Sequence, residues 1–513
     1  MAYLIRGSRV FTDAKLGADG VLKDAAVYVT ENVIREIDSY SVLREKYPQA
    51  SEIGGADQWV LPGIIDAHHH GRGLTFLQCG QGYDFLENAL LDWFYSVGLP
   101  PELAAQIVAW KHIRSGSTTV HHNAMPDVWD GKTLETACRG LDTYRKIGMR
   151  VAYSTGIRDT NYLVNHDEAF YQILPPHLQE FAKPLIFIDH EKAIWEHFEI
   201  FRSIYQTYNN GLTNIFPAPG WAHGATDEYL KETKAVADAL GGLPIHIHTL
   251  QTAHQKAYGL EKYGKSLLMH LADMGLADEH LVLGHAVWAD EADIDLLAER
   301  HASITHHPSC NLLMRNGITP IYYMHKAGVN IALGLDEKTF NGDDDAISEL
   351  RMIFCLHRLG GYELDQTPAL SPYEILAMGT NNAARALGLE NSVGRLAVGM
   401  KADLITVDTE VIMRDPWTFP DIDPGTAFIH RARGEHVRNV MIDGKVVMKD
   451  RKSTTMDIDQ LYHEIRKAAD KGLTPEEKRF ADYLAEIKPY EQQWYAHKAD
   501  FKKQPFYFVN SRH

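Results

Sequence analysis

Three consecutive histidines follow an aspartate in the segment LPGIIDAHHHGRG, residues 61–73. The apolar residues before them are typical of a buried strand, and side chains alternate between the two faces of a strand. His68 and His70 therefore point to one side, and His69 points to the other. Two imidazoles on one face can bind a metal ion together, although an isolated H-x-H pattern is also typical of a solvated turn.

Other imidazoles and one carboxylate stand at the ends of further strand-like runs. LPIHIHTLQ places His246 and His248 on one face, with His248 nearer the end, and HLVLGH ends at His285. VNIALGLD ends at Asp336, where a buried carboxylate needs a cation unless it caps the helix that follows. Each residue alone is compatible with an ordinary packing role. Their shared position at strand ends favours one metal site.

Such a site supports hydrolysis at an electrophilic carbon. Imidazole nitrogens with one carboxylate suit Zn or Fe(II), with one position left for water. The ion lowers the pKa of that water towards about 7 in favourable zinc sites. Asp336 can then take the proton, and His285 can orient the water or polarise the atom under attack.

A parallel barrel would bring these strand ends together. From about residue 100, apolar runs of strand length alternate with helical stretches, a pattern typical of a parallel (β/α) barrel whose active site lies at the strand ends. Short strand-like segments at both chain ends predict a small sheet domain, and the last segment predicts a helical arm for packing or oligomer contact. The predicted boundaries are 1–60 and 396–455 for the sheet domain, 61–395 for the barrel and 456–513 for the arm.

Composition excludes several classes of function. The chain has 513 residues, and 68 acidic against 51 basic residues give a net charge of -17, which repels nucleic acid and anionic membranes. No apolar stretch has the length of a signal peptide or of a membrane span. Four cysteines without C-x-x-C spacing argue against a disulfide framework or a thiolate zinc site and favour a reducing cytoplasm: Cys79, Cys138, Cys310 and Cys355.

The segments that carry the strand-end histidines and the aspartate resemble the amidohydrolase superfamily. PGIIDAHHH resembles its first-strand D-x-H-x-H, HIHTLQ its fifth strand, LGHAVW its sixth and ALGLD its eighth. LLDWFYSVGLPPELAAQIVAWKHIRSGSTTV and ITHHPSCNLLMRNGITPI resemble the branch of cytosine and guanine deaminases, S-adenosylhomocysteine deaminase and triazine hydrolases. The resemblance covers nearly the whole chain. It implies an α/β fold, a (β/α)8 TIM barrel with a small β-sandwich domain formed from both chain ends.

The resemblance also implies a ligand set and a metal count. His285 would lie beside the bound water, and the fourth-strand region NIFPAPGWAHG lacks the carboxylated lysine of two-metal members. One ion per chain is therefore expected, zinc or possibly Fe(II). The implied ligands are His68, His70, His248 and Asp336, with Asp336 and His285 as the catalytic residues.

Two departures from the branch place the leaving group in question. Many of its deaminases carry a proton-shuttling Glu where this chain has Gln251, which can hydrogen-bond but cannot act as an acid. Glu337 follows Asp336 directly and faces the other way along a strand, so it is a poor substitute. The substrate-facing histidine of the fourth strand is also missing, with Trp221 and His223 as candidate replacements.

Aromatic residues after the first strand suit a flat, uncharged substrate, either a nitrogen heterocycle or an aryl amide. Some of these aromatics are expected to be simple packing residues, because LLDWFY has a helical apolar rhythm. The residues expected to contact the substrate are Gln251, Trp93, Trp221, Asn311 and His122.

Three hypotheses about function follow. The leading one is a mononuclear metal-dependent hydrolase that cleaves a C–N bond by aminohydrolysis of a nitrogen heterocycle. A nearby alternative removes a substituted amine, halide or thiol from a triazine-like ring, or hydrolyses an aryl urea or carbamate. A third is a non-enzymatic scaffold, which would purify without stoichiometric metal. The aromatic arm favours a homodimer or a higher homo-oligomer.

Overall fold

Strands from both ends of the chain form one eight-stranded sheet. The computed structural model describes residues 1–92, 98–125, 131–358 and 370–499. The sheet has the strand order β16-β15-β14-β13-β4-β1-β2-β3, in which β4 pairs parallel with β1 and antiparallel with β13. A separate β-sandwich is therefore not confirmed. The strands are β1 Ala2–Phe11, β2 Val21–Thr30, β3 Val33–Ser39, β4 Ser51–Pro62, β13 Leu404–Asp408, β14 Val437–Ile442, β15 Lys445–Lys449 and β16 Lys452–Ser453.

The strands between these two groups form two parallel four-stranded sheets, with orders β5-β6-β7-β8 and β12-β11-β10-β9. This arrangement confirms an α/β, TIM-barrel-like architecture. Continuous hydrogen bonding between strands does not extend from one four-stranded sheet to the other in the described structure. On one side, a single parallel bridge between Trp221 and His248 links the segment after β8 to β9. The strands are β5 Ile64–His69, β6 Ser117–Ala124, β7 Arg150–Thr155, β8 Thr213–Pro217, β9 Ile245–Thr249, β10 Leu281–His285, β11 Ser303–His306 and β12 Asn330–Leu333.

Helices follow most of these strands and pack around them. Short 3-10 turns also occur at Ala14–Gly20, Leu77–Cys79, Ala222–Gly224 and Gly434–His436. In chain order the helices are α1 Tyr40–Lys46, α2 Leu86–Asp92, α3 Pro101–Ser115, α4 Thr133–Ile147, α5 Asp167–Tyr171, α6 Pro176–Ile186, α7 His190–Tyr208, α8 Asp227–Ala239, α9 Ala253–Tyr263, α10 Leu267–Asp273, α11 Glu291–Glu299, α12 Pro308–Leu313, α13 Ile321–Ala327, α14 Ala346–Leu356, α15 Pro372–Met378, α16 Asn381–Ala386, α17 Thr409–Arg414, α18 Pro424–Arg431, α19 Ile458–Ala469 and α20 Pro475–Tyr495.

The alternation of side chains explains how apolar strands present polar groups at the centre. On β9, Ile245 and Ile247 are buried in the large core shared with the surrounding helices. His246 and His248 occupy the intervening positions and belong to buried histidine clusters. Full burial of an isoleucine contributes about 1.5–3 kcal/mol, so the outer face holds the strand in its register. That register then directs the imidazoles inward.

A buried ion pair joins the barrel to the terminal sheet. Arg150, the first residue of β7, donates from Nε and Nη2 to the two carboxylate oxygens of Asp403 at 2.7 and 2.8 Å. We expect Arg150→Met to lower the free energy of unfolding by about 3–5 kcal/mol, because it leaves a buried carboxylate unpaired. Urea denaturation measures this loss. The double variant Arg150→Met/Asp403→Leu should recover much of it, and equal losses in the two variants would contradict the explanation.

His197 on α7 links stability to pH. Its imidazole is buried beside Phe198 and Tyr229, and burial lowers its pKa to about 3. The unfolded chain binds a proton here below about pH 6.5 while the folded chain does not, so stability falls on acidification between these two values. We expect the stability difference between wild type and His197→Gln to change by about 1.4 kcal/mol per pH unit from pH 5.5 to 4. A constant difference would refute this assignment, and His177→Gln, at an exposed site, is the control.

The helical segment near the C-terminus folds back onto the same chain. Helix α20 packs against α2, with Lys488 Nζ 2.6 Å from a carboxylate oxygen of Asp92. Trp494 Nε1 donates to Asn165 O, and Asn165 N donates to the Tyr495 hydroxyl, both at 2.9 Å. The arm therefore packs within its own chain. Within the described ranges, no helix is both long enough and apolar enough to cross a membrane.

Candidate metal centre

Imidazoles and one carboxylate from four strand ends meet at one point. Asp336 lies in the turn after β12, and its Oδ1 is 3.0 Å from His70 Nε2 and 3.5 Å from His68 Nε2. Its Oδ2 is 3.7 Å from His285 Nε2, at the end of β10. Ligand atoms of His68, His70 and His248 also lie within 4.8 Å of one another. The structure thus brings together all the residues predicted to bind the metal or to act on its water.

The hydrogen bonds of these imidazoles direct ligand atoms towards the centre. His70 Nδ1 donates to Asn123 O at 3.2 Å, and His248 Nδ1 donates to Gly220 O at 2.6 Å, so Nε2 is the ring nitrogen of each that can face the centre. Metal-binding histidines are usually held by such a bond from the other ring nitrogen. Nε2 of His68 and Nε2 of His285 are buried and have no hydrogen-bond partner in the described structure. A cation at this point would satisfy them.

The protonation states of these histidines and of Asp336 suit the binding of a cation. Burial lowers the pKa of His68 and His248 well below the usual range, and it lowers the pKa of His285 to about 4. These imidazoles are neutral at pH 7 and carry a free lone pair. Burial raises the pKa of Asp336, but the ammonium of Lys338 and the neighbouring imidazoles of His68 and His70 outweigh this effect and hold that pKa well below its usual range. The carboxylate is therefore ionised.

Asp66, the aspartate before the three histidines, ties two strand ends together. Its Oδ1 accepts from His68 N and from Leu335 N, both at 3.0 Å, and its Oδ2 accepts from His112 Nε2 at 2.9 Å. Asp336 N also donates to His68 O at 2.8 Å. Asp336 has a φ of 53°, a conformation that is uncommon for residues with a side chain and that these contacts maintain.

A small cavity opens beside this cluster. Its wall is mostly apolar, with Phe76 on one side, Leu86 and Leu90 from α2, and Met314 after α12. Its volume is about 20 Å³, which accommodates a water molecule but no heterocycle. Because α20 packs on α2, the C-terminal arm supports this wall.

Two of the predicted substrate contacts line the cavity. Trp221 and Gln251 both face it, and Trp221 Nε1 donates to Gln251 Oε1 at 3.4 Å. Trp93, also predicted as a contact, lies outside the described residues. The Glu337 carboxylate accepts from Gly73 N at 3.0 Å, so it is committed to the backbone after β5.

Asn311 and His122, also predicted as substrate contacts, have protein partners in this structure. Asn311 is buried, and its Oδ1 accepts from His285 Nδ1 at 2.9 Å, so it holds this imidazole. The His122 ring lies against Tyr144 and Tyr153, at the neighbouring cavity between β6 and α4. Neither side chain is among the described residues that line the central cavity. The sequence placed Asn311 in the segment after the seventh strand of the barrel and His122 near the end of the second. The direction of each side chain depends on the partners named above.

Four residues near the centre were missed as site residues. His246 Nε2 is 3.0 Å from His68 Nδ1, and His307 Nδ1 is 3.0 Å from His285 Nδ1. Cys310 Sγ donates to Asp336 Oδ2 at 2.7 Å, and Lys338 approaches the same carboxylate. The two histidines stand within predicted strand-end blocks, which was the available signal. The cysteine and the lysine carry no pattern of their own.

Proteins similar to this chain include named deaminases. A 5'-deoxyadenosine deaminase from Methanosarcina mazei is 32% identical over 461 residues, 88% of this chain and 94% of that protein. A 5-methylthioadenosine/S-adenosylhomocysteine deaminase from Caldanaerobacter subterraneus subsp. tengcongensis is 28% identical over 460 residues, again 88% of this chain and 94% of that protein. A zinc-bound crystal structure of an adenosine deaminase from Xanthomonas campestris is also similar. It has a TM-score of 0.76 and 25% identity, and covers 91% of this chain and 98% of its own.

The family model described as the amidohydrolase family matches residues 59–447. The match runs from β4 to β15 and includes every strand end at the centre. With the convergent imidazoles and carboxylate, it shows that the chain belongs to the amidohydrolase family.

Proposed function

We propose that this amidohydrolase catalyses the metal-dependent aminohydrolysis of a nitrogen heterocycle, with adenine-type nucleosides as the first substrates to test. The observation that carries the proposal is the convergence of His68, His248, His285 and Asp336, in which two imidazole nitrogens are buried without a partner. The names of the similar deaminases support the substrate class. The scaffold hypothesis is disfavoured, because a cluster of buried donors without a cation is destabilising.

We further propose that one ion per chain, zinc or Fe(II), is held by His68, His70, His248 and Asp336. When bound, it lowers the pKa of a coordinated water and so supplies a nucleophile at neutral pH. The zinc in the similar adenosine deaminase structure supports the choice of metal. The part of the chain that follows β8, PAPGWAHG, contains no lysine, which supports a single ion.

We assign one role in the reaction to each of three side chains. Asp336 is ionised and takes the proton of the attacking water. His285 Nδ1 donates a hydrogen bond to Asn311 Oδ1, so the proton of the neutral ring lies on Nδ1 and Nε2 carries a lone pair. His285 Nε2 therefore orients the water by accepting a hydrogen bond from it. Gln251 Oε1 is engaged by Trp221, so its amide N–H group is available to donate to a ring nitrogen.

Further assignments belong to the same proposal. The two parallel sheets would form one (β/α)8 barrel over 61–395, flanked by a β-sandwich-like domain from 1–60 and 396–455 and an arm over 456–513. None of the four cysteines forms a disulfide in the described structure, which supports a reducing compartment such as the cytoplasm. A homodimer or a higher homo-oligomer is proposed from the aromatic arm alone.

The test is elemental analysis of purified protein with ammonia detection. The substrates are adenosine, 5'-deoxyadenosine, aminopurines, aminopyrimidines, pterins and aminotriazines. About one ion per chain with ammonia release supports the proposal. One ion without ammonia would favour the alternative of substituted amines, halides, thiols, ureas or carbamates as leaving groups or substrates. No ion would overturn the enzyme assignment.

Gln251→Glu tests whether a missing acid limits turnover. A carboxyl group at this position can deliver a proton to a ring nitrogen, which the amide cannot do. We expect kcat for the preferred amino heterocycle to rise about 10-fold or more, since general acid catalysis contributes about 10²–10⁴-fold. Steady-state ammonia release measures the change. Gln255→Glu, on a neighbouring side chain outside the cavity lining, is the control; no gain at Gln251 would contradict the explanation.

A further inference from the structure

Lys338 is a buried cation at the cavity with no role in the mechanism above. It is the one lysine or arginine among the described residues that line this cavity. Its side chain is 8% exposed, and its Nζ donates to Asp336 O at 2.8 Å and to Asp336 Oδ1 at 3.2 Å. Because Lys338 lies on the same turn as Asp336, its position is tied to the reacting centre.

The hydrogen bonds of this ammonium are incomplete. An ammonium group has three donors, and both acceptors found for Nζ in the described structure belong to Asp336. The Glu337 carboxylate and the Cys310 thiol lie near enough to act on this ammonium electrostatically, but no hydrogen bond joins either of them to Nζ in the described structure. The Phe76 ring centroid lies 5.8 Å from Nζ, and Gln251 in the same cavity lining carries no charge. A buried cation is destabilising unless acceptors satisfy it. One donor of Nζ is therefore left for a bound molecule.

We propose that Lys338 determines specificity by donating a hydrogen bond to a carbonyl or oxyanion oxygen on the substrate ring. This inference rests on the proposed function, in which Asp336 marks the reacting position. Because Nζ is 3.2 Å from Asp336 Oδ1, an oxygen bound by Nζ lies within a few bonds of the attacked carbon. An ammonium only donates, so it selects an acceptor and disfavours an N–H at that position. Within the proposed class of nitrogen heterocycles, the preferred substrates are then amino heterocycles that carry a ring carbonyl, and adenine-type nucleosides, which lack one, should be poorer substrates.

Two matched ligand pairs test the proposal on the metal-loaded protein. Hypoxanthine and purine differ by the ring carbonyl and by the proton on the adjacent N1, and neither carries an amino group to be released, so calorimetry gives their dissociation constants without turnover. The part of the difference that disappears in Lys338→Met reports the contact with the carbonyl. Guanine and 2-aminopurine differ in the same way and report kcat and KM through ammonia. The variants are Lys338→Met, Lys338→Arg and the control Lys256→Met, whose lysine pairs with Asp290 outside the cavity. Metal content is measured for each.

We expect wild type to bind hypoxanthine about 10- to 100-fold more tightly than purine, the range for a hydrogen bond to a charged group. Lys338→Met should lose this preference with its metal content unchanged, Lys338→Arg should keep part of it, and Lys256→Met should match wild type. No preference in wild type, equal weakening of both ligands in Lys338→Met, or loss of its ion would each overturn the proposal. The last result would make Lys338 a support for Asp336.

Failure of this inference is distinguishable from failure of the proposed function. Ammonia release from adenosine by wild type, with no carbonyl preference in either pair, would overturn the role of Lys338 and leave aminohydrolysis standing. A carbonyl preference that depends on Lys338, without ammonia from any amino heterocycle, would support the binding role and overturn aminohydrolysis.

Discussion

Replacing His248 by alanine is expected to remove the metal and abolish activity while the fold remains. His248 sits at the end of β9, where its Nδ1 is held by Gly220 O and its Nε2 faces the cluster of His68 and His70. Loss of His248 removes a nitrogen donor and leaves a gap in the ligand set, which weakens binding of the ion. We expect metal content to fall from about one ion per chain to near zero, and kcat/KM to fall by at least about 10⁴-fold. Elemental analysis and ammonia release measure both.

A second buried histidine serves as the matched control. His270 on α10 is paired with Asp227 and stacked on Tyr263, away from the centre. We expect His270→Ala to keep its ion and its activity. Circular dichroism should show the same secondary structure in both variants, because the β9 core residues are unchanged. Normal turnover or full metal content in His248→Ala would refute the assigned site.

Replacing His285 by alanine is expected to separate catalysis from metal binding. Its Nε2 lies 3.7 Å from Asp336 Oδ2, while its Nδ1 is held by Asn311. If His285 orients the attacking water without being a ligand, the variant keeps about one ion per chain. Its kcat should fall about 10²–10⁴-fold, the range for a positioned acid or base. Metal analysis and steady-state kinetics on the same preparation measure the two effects.

Replacing Asn311 by alanine should cause a smaller loss of kcat than replacing His285. Asn311→Ala removes the acceptor that orients the imidazole but leaves the imidazole in place. Changes in such supporting partners typically cost about 10- to 100-fold, so its loss of kcat should be the smaller one. Loss of the ion together with activity in His285→Ala would make His285 a ligand. The proximity of its ligand atom to those of His68 and Asp336 makes that outcome a real test.

The terminal sheet shows how far local patterns extend. Short strands at both ends were predictable, because strand periodicity is visible over a few residues. The pairing of β4 with β13 joins Val60 to Thr406, and its register depends on contacts between segments far apart in the chain. The structure shows one eight-stranded sheet, and the expected sandwich is not confirmed. The same limit applies to the arm, whose docking on α2 buries Leu484 and Ile487 in one apolar cluster with Leu91, a residue far away in the chain.

The sequence by itself determined the chemistry of the centre. His68, His70, His248, His285 and Asp336 were placed correctly at strand ends because alternation along a strand is local geometry, and parallel strand ends converge in a barrel. These two rules need no knowledge of packing. Residue type then restricted the centre to a cation with nitrogen and oxygen ligands.

Only the tertiary structure decided which side chains serve that centre. Asn311 holds His285, His122 turns towards Tyr144, and Lys338 contacts Asp336. Each of these directions depends on partners that arrive from another element, so no local pattern predicts it. Loops and side-chain rotamers are set by long-range packing and hydrogen bonding, whereas strand faces are set by the backbone itself. The strand-end positions of the proposed ligands were therefore predictable from the sequence, and the directions of the side chains around them were not.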